Sequence, residues 1–338
     1  MDNRNCIASP SSQMSGYFNS KEIRTFADLF CGIGGFHYAA DSLGLECVFS
    51  CDIDRDARKQ YKHNFGFEPD GDITLIEVDR VPDHEILFAG FPCQPFSIIG
   101  KREGFADERG TLIFEIARFL HAKRPQAFVL ENVRQIATNR NGKTMNAILE
   151  TLSDAGYDCD FKLLNALDYG LPQKRERMII VGMRNGLGQF IWPPKSKERI
   201  SLSEILETSP DPRHFASEYI RKNRREKHSA KERPAIWHEN KSGSVSSHSF
   251  SCALRAGASY NYLLVDGERR LTPREQLRLQ GFPDKFEIIG NDSQIRKQAG
   301  NAVPVPLARA VIKEVLIAVE KSGIQCQKFK RTIPRPHA

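Results

Sequence analysis

A cysteine held between two prolines is the residue of this sequence best suited to covalent chemistry. Cys93 stands in Gly90-Phe91-Pro92-Cys93-Gln94-Pro95-Phe96-Ser97, directly after the apolar, strand-type run 85–89. Proline fixes φ and restrains the residue before it, so this thiol is predicted to lie on a stiff loop. A buried structural cysteine is the alternative. Close backbone approach at Gly90 and the long polar loop 98–109 favour a presented nucleophile.

The stretch from Gly90 to Ser97 resembles the nucleophile motif of the C5-cytosine DNA methyltransferases. The resemblance runs from about Phe26 to Val319, outside a variable segment at 186–270. Further motifs of that family follow in the family's order, namely Asp28-x-Phe30-x-Gly32-x-Gly34-Gly35, Glu131-Asn132-Val133, Gln173-Lys174-Arg175-Glu176-Arg177 and Gly300-Asn301-Ala302-Val303.

The resemblance implies a reaction on a cytosine that has left the DNA stack. The thiolate of Cys93 would add to C6, and this cysteine therefore needs a lowered pKa or a proton acceptor. Glu131 would donate to N3, and Arg177 would stabilise charge at O2. Base flipping is required because a stacked base hides these atoms. The implied catalytic residues are Cys93, Glu131, Arg175 and Arg177, and the loop residues implied to contact DNA are Ile98, Ile99 and Arg109.

A strand, a glycine turn and a helix open the ordered part of the chain. Residues 24–30 read as a strand, and a helical pattern follows the glycines up to Gly44. This arrangement begins a nucleotide-binding α/β unit, but the glycine spacing differs from Gly-x-Gly-x-x-Gly. An ordinary turn is the alternative. A second strand, 46–51, leads to Asp52, whose carboxylate can accept ribose hydroxyls, and Asp54 is predicted to cap the next helix.

The resemblance implies S-adenosylmethionine as methyl donor and S-adenosylhomocysteine as product. It places adenine contacts on Ile53, Asp72 and Ile73, although the local pattern at 71–74 predicts only a turn and a short strand. It also implies that segment 298–306 returns to the cofactor. The implied cofactor-binding residues are Phe30, Gly32, Gly34, Gly35, Asp52, Ile53, Asp72, Ile73, Gly90, Pro92, Leu112, Asn301 and Ala302.

The alternation of strands and helices predicts an α/β fold. We expect a Rossmann-like methyltransferase core, with a mostly parallel sheet and helices on both faces, and a smaller loop-rich target-recognition domain. Thr272 and Pro273 predict a helix start, and a C-terminal helix is predicted at 307–320. The predicted boundaries are a flexible tail at 1–22, a catalytic and cofactor-binding domain at 23–185 plus 298–325, a target-recognition domain at 186–297, and a flexible basic tail at 326–338.

A basic run in the variable segment is a candidate for phosphate contacts. Residues 221–233 contain seven basic and two acidic residues, so the local charge is 7 − 2 = +5 out of a net +7. Such a run is usually a solvated face, but beside a DNA motif it favours phosphate contacts, here by Arg224 and Arg225. Arg255, in the stretch 251–262, is a candidate to read a base, with backbone positioning as the alternative.

Composition limits the remaining classes. The 338 residues are 40% hydrophobic, and the eight cysteines form no Cys-x-x-Cys pair, so we expect a packed core, reduced thiols and no metal site. No signal or membrane-spanning pattern is found. We expect a cytoplasmic, nucleoid-associated monomer acting on double-stranded DNA, with a restriction endonuclease encoded separately. The alternatives are a tRNA cytosine methyltransferase, whose Cys-Phe-Thr is absent here, a nicotinamide-dependent oxidoreductase, and an inactive DNA-binding protein.

Overall fold

A computed structural model describes residues 24–92, 112–184 and 186–321. Its strands are β1 (Arg24–Leu29), β2 (Leu45–Cys51), β3 (Ile86–Gly90), β4 (Ala127–Val133), β5 (Asp158–Asn165), β6 (Gln173–Lys174), β7 (Glu176–Met183), β8 (Ile236–Glu239), β9 (Val245–His248), β10 (Ser251–Cys252) and β11 (Leu263–Val265). Its α-helices are α1 (Gly35–Asp41), α2 (Arg55–Phe65), α3 (Leu112–Lys123), α4 (Gln135–Thr138), α5 (Lys143–Asp154), α6 (Leu202–Ile205), α7 (Glu218–Lys227), α8 (Pro273–Leu279), α9 (Asp292–Asn301) and α10 (Val305–Lys321).

Six strands form a central sheet in the order β2-β1-β3-β4-β7-β5. Strands β2, β1, β3 and β4 pair in parallel, whereas β7 is antiparallel to both of its neighbours. In a parallel sheet the carboxyl ends of adjacent strands meet at one edge, so β1 to β4 end beside one another. This edge carries the glycine turn, the start of the Cys93 loop and Glu131.

Helices cover both faces of this sheet. Phe26 and Phe88 face a core shared with α1 and α10. Leu87 and Phe128 face the opposite side, where α3 and α5 pack. Because adjacent residues of a strand point to opposite faces, strands buried on both sides need continuous apolar runs such as 86–89. The predicted Rossmann-like architecture is confirmed.

Most predicted elements are present, with two corrections at segment ends. Asp54 accepts hydrogen bonds from the first turn of α2, and Thr272 caps α8 in a capping box. The predicted short strand near Ile73 is wrong, because Ile73–Leu75 is a 3-10 turn whose start is capped by the Asp72 carboxylate. The C-terminal helix begins at Val305, and residues 298–301 already belong to α9.

The segment after β7 contains a second, smaller sheet. Strands β11, β8 and β9 pair antiparallel in that order. Strand β10 instead pairs in parallel with β6, where Ser251 is in register with Gln173. This pairing fixes the start of the stretch 251–262 to the arginine-containing motif at 173–177. In the part of the chain described, no helix combines the length and the apolar character that crossing a bilayer requires.

Candidate active site

A carboxylate and a guanidinium from neighbouring strands form the centre of the candidate active site. Glu131 lies on β4 and Arg177 lies near the start of β7, where antiparallel pairing sets it opposite Val133. Arg177 Nε and Glu131 Oε1 are 2.6 Å apart, and the two side chains are 11% and 8% exposed. An ion pair with so little water around it interacts more strongly than a surface pair. The structure thus brings together two residues that were predicted to contact the target base.

The backbone that leads to Cys93 ends beside this ion pair. Gly90, the last residue of β3, is in register with Glu131, and a Cβ atom on Gly90 would lie 3.9 Å from Glu131 Oε2. Asn132 Nδ2 donates a hydrogen bond of 3.0 Å to the carbonyl of Phe91, two residues before Cys93. Asn132 and Phe91 are both buried, so the chain leaves the sheet at a fixed place.

The sequence alone assigned no role to Asn132, although a polar amide directly after Glu131 is a usable signal for a residue that positions this backbone. Beyond Pro92, which is exposed, the described residues resume at the half-buried Leu112. Four residues with predicted roles lie outside the described residues, and those roles stay predictions: Cys93, Ile98, Ile99 and Arg109.

Arg175 has a different role from the predicted catalytic one. Its side chain is completely buried. Nη1 donates to the Leu254 carbonyl at 2.8 Å, and Nη2 donates to the carbonyls of Gly300 and Ala302 at 2.9 Å each. A guanidinium that is enclosed and bound to three backbone carbonyls has no face left for a base. Arg175 is therefore a positioning residue, and Arg177 is the arginine of this motif that pairs with Glu131.

Gln173, two residues before Arg175, holds the same part of the chain. Gln173 Oε1 accepts a hydrogen bond of 3.0 Å from Leu254 N, and Gln173 Nε2 donates to the Leu279 carbonyl at 2.7 Å. Residues 173, 175 and 177 alternate along extended chain and so point to one side. The sequence analysis missed Gln173, although this alternation could have indicated it.

The turn after β1 has the backbone shape of a ligand cradle. Phe30 and Gly32 have φ angles of 56° and 55°, and no described residue beyond the chain neighbours lies within 4 Å of a Cβ atom built on Gly32. Asp52 Oδ2 accepts from Gly32 N at 2.8 Å, and Oδ1 accepts from Asp54 N at 2.7 Å. Burial raises the pKa of Asp52, and these two backbone hydrogen bonds act against that rise. Each carboxylate oxygen keeps further acceptor capacity for ligand hydroxyls.

The predicted adenine contacts differ in their exposure. Ile53, directly after Asp52, is 73% exposed and so available to pack against a ring. Asp72 Oδ1 already accepts from Thr74 N at 3.0 Å, and Ile73 is only 4% exposed. Any contact of Ile73 with a ligand therefore falls to its backbone, because its side chain belongs to the core.

The segment before α10 packs against the glycine turn, while its predicted contact with the cofactor stays a prediction. A Cβ atom on Gly35 would lie 2.6 Å from the Val303 carbonyl oxygen, and one on Gly90 would lie 3.4 Å from Val303 Cγ2. Gly34, with φ of 86°, precedes α1 at this point. Asn301 is exposed and Ala302 is buried. Val303 thus joins the glycine turn to the end of β3.

The two arginines of α7 that were predicted to contact phosphates are paired with acids. Arg224 is 2% exposed, and its Nη2 lies 2.7 Å from Glu239 Oε2. Arg225 lies 2.7 Å from Glu268 and 2.6 Å from Glu218. The prediction is wrong for Arg224, which is buried. The structure no longer supports the predicted phosphate contact for Arg225, because two carboxylates already neutralise its charge.

Arg255 keeps its place as a candidate base reader. Its side chain is exposed, and its Cζ lies 4.7 Å from the centroid of the Tyr262 ring. Tyr262 Oη accepts from Arg255 N at 3.0 Å and donates to the Ala253 carbonyl at 3.2 Å. The tyrosine therefore fixes both the backbone and the guanidinium of Arg255.

Comparison with known proteins decides the family. Residues 24–316 match the family described as C-5 cytosine-specific DNA methylase. The chain belongs to this family. The Glu131–Arg177 pair, the glycine turn and the segment before α10 of this C-5 cytosine-specific DNA methylase all lie inside the matched range.

Curated relatives of this methylase are type II methyltransferases. M.NgoBI of Neisseria gonorrhoeae is 52% identical over 85% of this chain and 91% of its own length. M.HaeII of Haemophilus aegyptius is 50% identical over 86% of this chain and 92% of its own length. These relatives support the DNA-modifying interpretation over the tRNA alternative.

Solved structures show the same fold at low identity. The methyltransferase EhMeth of Entamoeba histolytica has a TM-score of 0.69 at 17% identity and covers 88% of this chain and 99% of that one. The Dnmt2 methyltransferase of S. pombe has a TM-score of 0.68 at 21% identity with the same coverage. At these identities the likeness establishes the fold.

Proposed function

We propose that this C-5 cytosine-specific DNA methylase modifies cytosine within one short double-stranded sequence, through a covalent bond from Cys93 to C6 of a flipped-out base. The observation that carries this proposal is the Glu131–Arg177 pair, 2.6 Å apart beside the backbone that leads to Cys93. A nucleophile needs stabilisation of the charge that its attack creates, and this pair lies beside the end of β3, the strand that precedes the cysteine.

Each residue has a distinct part in this chemistry. The Cys93 thiolate forms a bond to C6, which breaks the aromatic system and moves electron density towards C5, N3 and O2. Glu131, when protonated, donates to N3, and Arg177 donates to O2. After methylation, loss of the C5 proton and elimination of Cys93 restore the aromatic ring and return the thiolate. The low exposure of Glu131 and Arg177 makes these contacts stronger than they would be in water.

The residues at the glycine turn fit S-adenosylmethionine. Space above Gly32 admits a ligand close to the backbone, Asp52 retains acceptor capacity for two hydroxyls, and Ile53 offers an exposed apolar surface for a ring. When bound, S-adenosylmethionine supplies the electrophilic methyl group that the activated C5 accepts, leaving S-adenosylhomocysteine. Asp72, Asn301 and Ala302 are proposed to complete this site.

We assign sequence recognition to residues 186–297. Arg255, held by Tyr262 and exposed, is proposed to contact a base edge, while Ile98, Ile99 and Arg109 are proposed to contact the DNA around the flipped base. The type II names of the relatives support a role in protecting DNA from a restriction endonuclease that is encoded separately. We propose that the protein acts as a monomer in the cytoplasm, at the nucleoid.

A trapping experiment tests the covalent route. DNA carrying 5-fluorocytosine should form a complex with the wild-type protein that survives denaturation, because fluorine cannot leave as a proton. Cys93→Ala should form no such complex and methylate nothing, yet still bind DNA. Cys159→Ser, which alters a half-buried cysteine on β5, is the matched control and should trap normally. Methylation by Cys93→Ala, or methylation of tRNA in place of DNA, would contradict the proposal.

A further inference from the structure

The positive charges that were expected to bind DNA phosphates are already neutralised on α7. Besides Arg224 and Arg225, Arg221 of the same helix lies 2.6 Å from Glu218 and 3.4 Å from Glu268. An arginine that is already paired with a carboxylate gains little binding free energy from a phosphate, because the carboxylate must first be displaced. The main phosphate contacts of the recognition segment therefore lie elsewhere.

Four arginines converge on one cavity of about 160 Å³ behind the stretch 251–262. They are Arg213, Arg255, Arg270 and Arg296. Arg213 is paired with Asp211 and Asp292. Within residues 24–92, 112–184 and 186–321, none of the other three arginines forms an ion pair with a carboxylate. Asp292 also lines the cavity, where its carboxylate contacts Arg213 and His214. The cavity therefore combines a carboxylate that is already paired with three arginines that form no ion pair in the described residues.

Two tyrosines hold the guanidinium groups in place. Arg296 Cζ lies 4.0 Å from the centroid of the Tyr260 ring, and Arg296 Nη1 donates to the Ala258 carbonyl at 2.7 Å. Arg255 is stacked in the same way on Tyr262. A guanidinium that stacks by its face keeps its N–H edge free, and this edge matches the oxygens of a phosphate. Arg270 Nη2 donates to the Arg213 carbonyl at 2.6 Å, which orients the third group.

We propose that this cavity binds one phosphate of the DNA backbone, through Arg296 and Arg270, beside the base-contacting Arg255. The inference rests on the proposed DNA substrate and adds the place where its backbone is anchored. Leu254 and Arg255 line the cavity and also belong to the proposed recognition stretch 251–262. Anchoring a phosphate here would set the register of that stretch on the duplex, because phosphate contacts position a protein while base contacts select the sequence.

Salt-dependent binding to cognate and non-cognate duplexes tests this proposal. Arg296→Gln and Arg270→Gln should each weaken binding to both duplexes by roughly 10-fold or more. Each should reduce the slope of log affinity against log salt by about 0.9. Arg296→Lys should keep the slope, because the charge remains. Arg80→Gln, which removes a surface arginine paired with Glu77, is the control for net charge and should leave both quantities unchanged.

Single methylphosphonate substitutions identify the source of the phosphate. Neutralising one particular phosphate should weaken binding by the wild-type protein. The same substitution should cause no further loss of affinity in Arg296→Gln. Inorganic phosphate should compete with the duplex for the cavity only at concentrations far above that of the duplex. A loss confined to the cognate duplex would mean that a base occupies the cavity and would overturn the proposal, as would unchanged slopes. The methylation rate of Arg296→Gln is also measured at saturating DNA, where weak binding no longer limits it. This rate tests the proposed function separately from the phosphate contact.

Discussion

The guanidinium of Arg175 donates to the carbonyl of Leu254 at 2.8 Å, and this contact joins the motif at 173–177 to the stretch 251–262. Gln173 accepts from the N–H of the same residue, so both backbone groups of Leu254 are held by one motif. Two residues further along that motif, Arg177 lies 2.6 Å from Glu131. The position of Arg255, which follows Leu254, is therefore tied to the position of the Glu131–Arg177 pair through the five-residue motif 173–177.

We expect Arg175→Lys to reduce sequence discrimination. Lysine keeps the charge but lacks the planar fork that binds the carbonyls of Leu254, Gly300 and Ala302 together. The ratio of kcat/KM between the cognate site and singly substituted sites should fall by about 10-fold, or about 1.4 kcal/mol. Lys174→Gln, which changes the exposed neighbouring residue on β6, is the control. A fall in kcat with unchanged site preference would show that Arg175 serves only stability or catalysis.

The catalytic pair should behave as one unit. Glu131→Gln and Arg177→Gln should each lower the single-turnover rate by roughly 10²–10³-fold, the range for removing one preorganised donor. The double variant should be little worse than the more damaged single variant, because residues that act together are non-additive. Single-turnover methylation of saturating DNA gives the rates, and fully additive losses would contradict a shared role.

Asp52 should govern cofactor affinity. Asp52→Ala should weaken S-adenosylmethionine binding by about 1.5–3 kcal/mol, because it removes charged acceptors and releases the N–H groups of Gly32 and Asp54. Asp52→Asn keeps one acceptor and should lose less. Titration calorimetry measures the affinity for the cofactor. The affinity for DNA in the absence of cofactor should be unchanged. An equal loss of affinity for the cofactor and for DNA would indicate a folding defect. Asp41→Ala, which changes an exposed aspartate, is the control.

Acid should destabilise the core through His84. Burial lowers the pKa of His84 to about 4, and the ring's Nδ1 lies 2.9 Å from the Pro82 carbonyl oxygen. The unfolded chain takes up the proton near pH 6.5, so this stabilisation is complete above that pH and is lost as the pH falls towards 4. Between pH 7 and pH 5 the loss from this ring should be about 2 kcal/mol.

Denaturant unfolding at a series of pH values measures this effect. His84→Gln should flatten the dependence on pH, whereas His121→Asn, which replaces an exposed ring, should not. Burial also lowers the pKa of His37 to about 4, so part of the slope should remain in the His84 variant. An unchanged slope in His84→Gln would show that the ring does not control acid stability.

The sequence by itself determined the order of elements and the family. Apolar runs at 86–89 and 127–130 specified strands buried on both faces, and Asp54 and Thr272 marked helix starts, because these signals depend only on neighbouring residues. The family motifs identified Glu131 and Arg177 for the same local reason, since a motif preserves which residue types a reaction needs.

Only the tertiary structure decided what the arginines do. Arg175 and Arg177 belong to one motif and alternate on one face, yet one meets three carbonyls and the other meets Glu131. On α7, Arg224 and Arg225 gave the appearance of a free basic patch, because their partners Glu239 and Glu268 lie far along the chain. Charge in a folded protein is set by which groups the chain brings within a few ångströms, and sequence order does not record those distances.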